Sequence, residues 1–176
     1  MSELWRPSAQ RIANANLTRF MRCVTARTGT PLADFEATYA WSLEKPTQFW
    51  SELARFADVR ADWGAGPVLE HPTAMPGARF FPAAHLNFAE NLLKFADDHP
   101  ALIFRNERGV RRALSGRELR AEVARVAAGL GAAGVVAGDR VAGYLPNLPE
   151  AAIAMLATAS IGAVWSSCSP DFGVHG

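Results

Sequence analysis

The chain has 176 residues, of which 49% are apolar and 20% charged, with 14 glycines and 11 prolines. That length suits one domain or slightly more, and the balance excludes collagen-like, low-complexity and disordered chains. Eighteen Lys and Arg against 17 Asp and Glu leave a net charge of +1, which predicts no nucleic-acid or anionic-membrane partner.

The two cysteines, Cys23 and Cys168, and four scattered histidines form no disulfide framework and no paired zinc motif. The start, MSELWRPSAQR, lacks a basic stretch followed by an apolar core and a small-residue cleavage site. The longest nearly uncharged stretch, Ala151 to Cys168, is interrupted by Thr158, Ser160, Gly162, Ser166 and Ser167 and has no Lys or Arg anchors. It reads as a buried helix followed by a buried strand, and the expected compartment is the cytoplasm.

The first hundred residues read as helical. Leu17, Phe20, Met21 and Val24 mark one face of a helix between Ser8 and Thr28, which Gly29 stops. Thr30-Pro31 resembles an N-cap and first-turn proline, opening a short helix through Ala40. Pro46 starts another, with Phe49, Trp50, Leu53 and Phe56 on its core stripe. From Asp58 to Pro82 glycines and prolines interrupt every period, and the spacing predicts an ordered meander. Leu86 to Phe95 returns to helix spacing.

The pattern changes at Pro100. ALIFR (101–105) and VRRAL (110–114), separated by NERG, predict a β-hairpin. Ser115 and Glu118 then match a capping box, where hydroxyl and carboxylate satisfy each other's free amides at a helix start. Leu119, Val123, Val126, Ala127 and Leu130 form the buried stripe of that helix. RVAGYL (140–145) is a strand, Asn147 to Ile161 a helix apolar on nearly every side, and AVWSS (163–167) a second strand. The order predicts an α/β fold: a helical N-terminal region (1–99), then a hairpin and a first βαβ unit (100–176) with at least two parallel strands. A helix apolar all round and a parallel sheet both require cover on every side, so the sheet is expected to be incomplete, the opening section of a larger protein.

Several motifs admit a functional and a plain reading. Gly129-Leu-Gly131-Ala-Ala-Gly134 matches GxGxxG formally, but these glycines close a helix and precede a strand. A dinucleotide loop follows a strand and opens a helix, where the dipole attracts phosphate. The expected roles are therefore close packing at Gly129 and Gly131 and a helix stop at Gly134. Cys168 lacks a nearby base other than His175 and reads as a small, partly buried side chain. His71, His85 and His99 fall on unrelated elements. Arg105, Arg108, Arg111 and Arg112 read as the solvated side of the hairpin. The segment Ser166-Ser-Cys-Ser-Pro-Asp-Phe-Gly173 differs: it is a polar loop at the carboxyl end of a buried parallel strand, where open α/β sheets bind ligands.

Residues carrying a family resemblance run through nearly the whole chain. Trp41-Ser42, Pro46 and Phe49-Trp50, followed by ARFFPAAHLNFAENLL (78–93), resemble the N-terminal region of the acetyl-/acetoacetyl-CoA synthetase branch of the AMP-forming acyl-adenylate ligases. The stretch 100–173 is similar to the start of that superfamily's adenylation domain, and SSCSPDFG and LNFAENLL point toward the acetoacetyl-CoA synthetases within it. The resemblance implies a two-step reaction with ATP, Mg²⁺ and CoA: acetoacetate attacks the α-phosphate of ATP, giving acetoacetyl-AMP and pyrophosphate, and the CoA thiol displaces AMP. It implies that the phosphate loop, acyl pocket, ribose-binding acid and C-terminal lid lie beyond Gly176. No catalytic or metal residue is then expected in this chain, and no ligase activity or cofactor binding by it alone. The positions aligned with a CoA-contacting loop are Ser169, Pro170, Asp171 and Phe172. Two other readings are an acetyl- or propionyl-CoA synthetase segment and a non-enzymatic interaction module derived from such a ligase.

Overall fold

The computed structural model describes residues 4–173. The chain forms two compact units, Met1–His85 and Leu86–Gly176.

The first unit is built from α1 (Ala9–Ala13), α2 (Asn16–Thr28), α3 (Phe35–Glu44) and α4 (Pro46–Phe56). The single helix expected between Ser8 and Thr28 is two, because Ala15 takes an extended conformation (φ −64°, ψ 143°) and the Thr18 hydroxyl bonds back to the Ile12 carbonyl at 2.6 Å. Gly29 ends α2 as expected, with φ +72° and its N–H on the Thr25 carbonyl. Thr30-Pro31 opens no helix. Leu32 is buried instead, its N–H donating to Thr25 Oγ1, and α3 begins three residues later because the Asp34 carboxylate accepts from the Ala37 N–H at 2.8 Å. A charged acceptor aimed at a free first-turn amide outcompetes a threonine followed by proline. Pro46 occupies the first turn of α4.

Phe20, Val24, Leu32 and Trp41 form the core, ringed by Met21, Phe49, Leu53 and Phe56. Phe20 meets Phe49 and Phe56 edge-on at 5.9 and 5.4 Å between centroids. Leu17, expected on the same face, stands 40% exposed. Glu52 of α4 is nearly buried. Arg27 of α2 grips it through Nε (2.9 Å) and Nη2 (3.3 Å), and Arg55 adds a third bond at 2.8 Å. The meander carries a two-residue ladder, β1 (Leu69–Glu70) against β2 (Arg79–Phe80), and Phe80 packs on Trp50 at 5.1 Å.

The second unit begins with α5 (Phe88–Leu92), shorter than the expected Leu86–Phe95 span. The hairpin follows, β3 (Pro100–Arg105) antiparallel to β4 (Arg111–Ser115), with Ile103 opposite Ala113 and Arg105 opposite Arg111. The capping box is present in full: Ser115 Oγ accepts from the Glu118 N–H, and the Glu118 carboxylate accepts from the Ser115 N–H at 2.8 Å. These bonds, the backbone one foremost, hold the Glu118 carboxyl below its ordinary range. It starts α6 (Gly116–Ala132), whose Leu119 and Val123 are buried. Gly116 has no room for a side chain, since a Cβ there would lie 2.1 Å from the Phe95 carbonyl oxygen.

Gly129 and Gly131 lie inside α6, and Gly134 turns the chain out of it with φ +89°. The close packing expected of the first two is absent, because an added Cβ at either would meet open space. β5 (Arg140–Tyr144), α7 (Pro149–Ser160) and β6 (Val164–Cys168) then form the βαβ unit, its strands parallel from Arg140 opposite Val164 to Tyr144 opposite Cys168. Ile153, Leu156 and Ala157 of α7 pack with Leu119 and Val123 of α6, Leu114 of β4 and Ala89 of α5. Burying each of the larger side chains is worth about 1.5–3 kcal/mol. The unmet burial lies in the strands rather than on the helix: among the described residues the parallel sheet has two strands, and Val164 and Tyr144 on its outward side are 53% and 61% exposed. Among the described residues no helix is long and apolar enough to cross a membrane.

The Glu52 cluster gives the first unit an acid-sensitive tie. The hydrogen bond from Arg27, reinforced by the charges of Arg27 and Arg55, outweighs partial burial and holds the Glu52 carboxyl below its ordinary range. Its stabilisation is complete above the ordinary glutamate range and is lost as pH falls through the lower folded-state value. Glu52→Gln is expected to cost about 1–2 kcal/mol at neutral pH, the bonds to charged partners being discounted for the exposed arginines. It should also flatten the loss of stability on acidification, as read from urea unfolding followed by tryptophan fluorescence between pH 7 and 3.

Candidate functional site

Parallel strands joined by one helix place three ends together: the carboxyl end of β5, the N-terminus of α7 and the carboxyl end of β6. A cleft of about 310 Å³ opens there, lined by Leu145, Pro146, Asn147 and Ala151 on one side and Ser167, Cys168, Ser169 and Phe172 on the other. A larger cleft of about 400 Å³ lies in the first unit against Trp63 and Phe81 and contains none of the expected site residues.

Beyond β6 the chain makes a single 3-10 turn, Pro170–Phe172, and the structure distributes the four expected residues over it. Ser169 caps this turn: its Oγ accepts from the Asp171 N–H at 3.3 Å and donates to Asp171 Oδ2 at 3.0 Å. The Ser169 hydroxyl and the Asp171 carboxylate are thus engaged with each other. The Pro170 carbonyl accepts a 3.0 Å hydrogen bond from the Tyr144 hydroxyl at the end of β5, which straps the loop to the neighbouring strand. Ser169 and Phe172 line the cleft, whereas Pro170 and Asp171 do not. The Phe172 ring is 62% exposed.

Sequence spacing passed over four residues. Tyr144 reads as one more strand residue, and its strap is visible only once β5 and β6 are seen as adjacent and parallel. Asn147 and Ala151 belong to the loop and first turn leading into α7, and that they face the cleft follows from the same topology. Trp165 covers Gly143 so closely that a Cβ there would lie 2.4 Å from the indole ring, a contact legible only from strand register.

The remaining singled-out residues are dispersed. Cys168 lines the cleft as an exposed free thiol, and His175 lies outside the described residues. His85 pairs by its backbone with Asp62, and the His99 ring sits 3.2 Å from Asp97. Arg112 is bound to Glu150 in the first turn of α7, where that carboxyl is held low by its own backbone N–H and by Arg112, against a small opposing effect of burial. Among the described residues no group of three or more His, Cys, Asp or Glu could hold a metal ion. The glycines at 129–134 close a helix, its negative end.

Residues 88–176 match the family described as AMP-binding enzyme, and residues 35–92 match the acetyl-coenzyme A synthetase N-terminus. The chain belongs to the AMP-binding enzyme family. It is 43% identical over 173 residues to the acetoacetyl-coenzyme A synthetase of Rhizobium meliloti (strain 1021), covering 98% of this chain and 26% of that protein. It is 38% identical over 176 residues to the acetoacetyl-CoA synthetase of Gallus gallus, with the same coverage. Among solved structures, the acetoacetyl-CoA synthetase from Streptomyces lividans superposes with a TM-score of 0.87 at 45% identity, over 98% of this chain and 27% of that one. The chain thus spans about a quarter of the length of these AMP-forming ligases and matches their N-terminal region. A two-stranded parallel sheet accords with that share of the fold.

The strap generates a local test. Tyr144→Phe removes a largely exposed hydrogen bond worth about 0.5–1 kcal/mol. Hydrogen exchange at the Phe172 amide, which bonds the Ser169 carbonyl at 3.2 Å, is expected to quicken while exchange within α7 is unchanged.

Proposed function

We propose that this chain is the N-terminal part of an acetoacetate–CoA ligase, with the helical region 1–99 leading into an adenylation domain that opens at residue 100. The observation that carries this reading is the joint match of both family segments and of whole-chain relatives named acetoacetyl-CoA synthetases. In the complete ligase the acetoacetate carboxylate attacks the α-phosphate of ATP and pyrophosphate leaves, then the CoA thiolate displaces AMP from the acyl carbon. A cytoplasmic location belongs to the same reading and agrees with two free, exposed thiols.

The part of this chemistry assigned to the chain is positioning. Ser169, Pro170, Asp171 and Phe172 form the CoA-side loop, and the strap from Tyr144 fixes it to the end of β5. The Asp171 carboxylate repels the phosphates of CoA, so the portion of CoA suited to this loop is the uncharged pantetheine arm. Phe172 offers it an apolar face and the loop backbone offers amide partners. No step through ATP or Mg²⁺ is assigned to these residues.

Two measurements test the reading. The 176-residue chain alone is expected to show no ATP–pyrophosphate exchange with or without acetoacetate, and clear acetoacetate-dependent exchange refutes that expectation. In a full-length ligase carrying this chain as its N-terminal quarter, acetoacetate is expected to give a higher kcat/KM than acetate or propionate. There Phe172→Ala should raise the KM for CoA severalfold and leave the KM values for ATP and acetoacetate unchanged. An effect on ATP instead would remove the loop from the CoA path.

A further inference from the structure

The first unit carries an apolar groove that its own core does not fill. α2, α3 and α4 enclose a cavity of about 290 Å³ with Phe20, Leu53 and Phe56 as its floor and Leu17, Phe35 and Tyr39 at its rim. Phe35 and Tyr39 stack nearly parallel, 9° apart with centroids at 6.1 Å, yet remain 59% and 52% exposed. Two large rings ordered against each other at the mouth of an apolar cavity leave considerable hydrophobic surface in water.

One cation stands at the edge of this groove. Arg19 Nη1 donates to Asn16 Oδ1 at 3.3 Å and its guanidinium lies 5.9 Å from the centre of the Phe56 ring, and both Asn16 and Phe56 line the cavity. Among the described residues no carboxylate pairs with Arg19. The neighbouring acids are engaged elsewhere: Glu52 is held by Arg27 and Arg55, the Asp34 carboxylate caps α3, and none of Glu36, Glu44 and Glu52 lines the groove. The cavity is therefore lined mostly by apolar side chains, with Asn16, Thr38 and Ser42 as its polar members, and a positive charge without a paired carboxylate stands at one edge.

We propose that this groove binds one amphiphilic monocarboxylate, its alkyl chain on the phenylalanine floor and its head group on Arg19. A guanidinium fork matches a carboxylate with two parallel hydrogen bonds, which a neutral head group cannot make. The size argues for one small molecule rather than a protein face: about 290 Å³ is near the lower bound of small-ligand pockets, whereas a stable dimer buries about 800 Å² on each partner. The site lies wholly within the first unit and does not depend on the ligase reading.

Titrating decanoate below its micellar concentration into the 176-residue chain tests it, with ¹⁵N shifts and calorimetry as readouts. The expected result is saturable one-to-one binding, shifts centred on Leu17, Phe35 and Tyr39, and decyltrimethylammonium at least tenfold weaker. Arg19 is exposed, so its replacement leaves the core intact. Arg19→Glu should invert the head-group preference and Arg19→Gln should abolish it. Unsaturable binding, equal affinity for the two head groups, decanoate affinity unaltered in Arg19→Glu, or self-association through the groove that decanoate does not relieve would each overturn the proposal.

Discussion

The second unit depends on covering α7. Pro149 to Ser160 contains one charged side chain, Glu150, and that residue lies in the first turn, where Arg112 of the hairpin binds it. The rest of the helix has no polar face to give to water, so elements must gather around it: α6 through Leu119 and Val123, β4 through Leu114, and α5 through Ala89. Once α7 is fixed, the strands before and after it can pair only in parallel. Both then finish at the helix N-terminus, and the cleft at that end is a consequence of chain direction rather than of any special side chain. The side chains refine it: Tyr144 straps the loop, Ser169 caps the turn and Trp165 fills the space above Gly143.

The first unit reaches its order by another route. Its core is small and aromatic, with Phe20, Trp41, Phe49 and Phe56 meeting edge to face, and it is supplemented by a carboxylate clamped between two arginines. The clamp joins residues 25 apart in sequence, so it fixes α2 against α4 as well as satisfying a nearly buried charge. Only the carboxylate of this cluster is nearly buried, the two arginines being about half exposed, so solvent screens part of the interaction.

Local chemistry was readable from sequence wherever it depended on neighbours within about four residues. The Ser115–Glu118 box, the stop at Gly29, the proline start of α4 and the strand–helix–strand order all belong to this group. The failures have a common cause in competition between local signals or in distant contacts. Thr30-Pro31 carries a helix-start signal, but the Asp34 carboxylate caps the Ala37 N–H and starts α3 there, with Leu32 buried ahead of it. The break at Ala15 shows in no propensity, because its stabilising bond runs from Thr18 back to Ile12. Gly129 and Gly131 suggested tight packing, yet the helix meets nothing there. Within the candidate cleft, Ser169 and Phe172 were accessible from the loop's composition and family likeness. Asn147, Ala151 and Tyr144 required the topology.

Asn87 serves two helices at once. Its Oδ1 accepts from the Glu90 N–H and so caps the start of α5, while its Nδ2 donates to the carbonyls of Ala159 and Ser160 at the end of α7. An amide is the only ordinary side chain that offers an acceptor and a two-fold donor from one short stem. Spontaneous deamidation to aspartate would keep the first role and reverse the second, setting a negative charge against two carbonyl oxygens at the negative end of a helix dipole. One amide nitrogen therefore ties the start of α5 to the end of α7, beside the apolar contact that Ala89 makes.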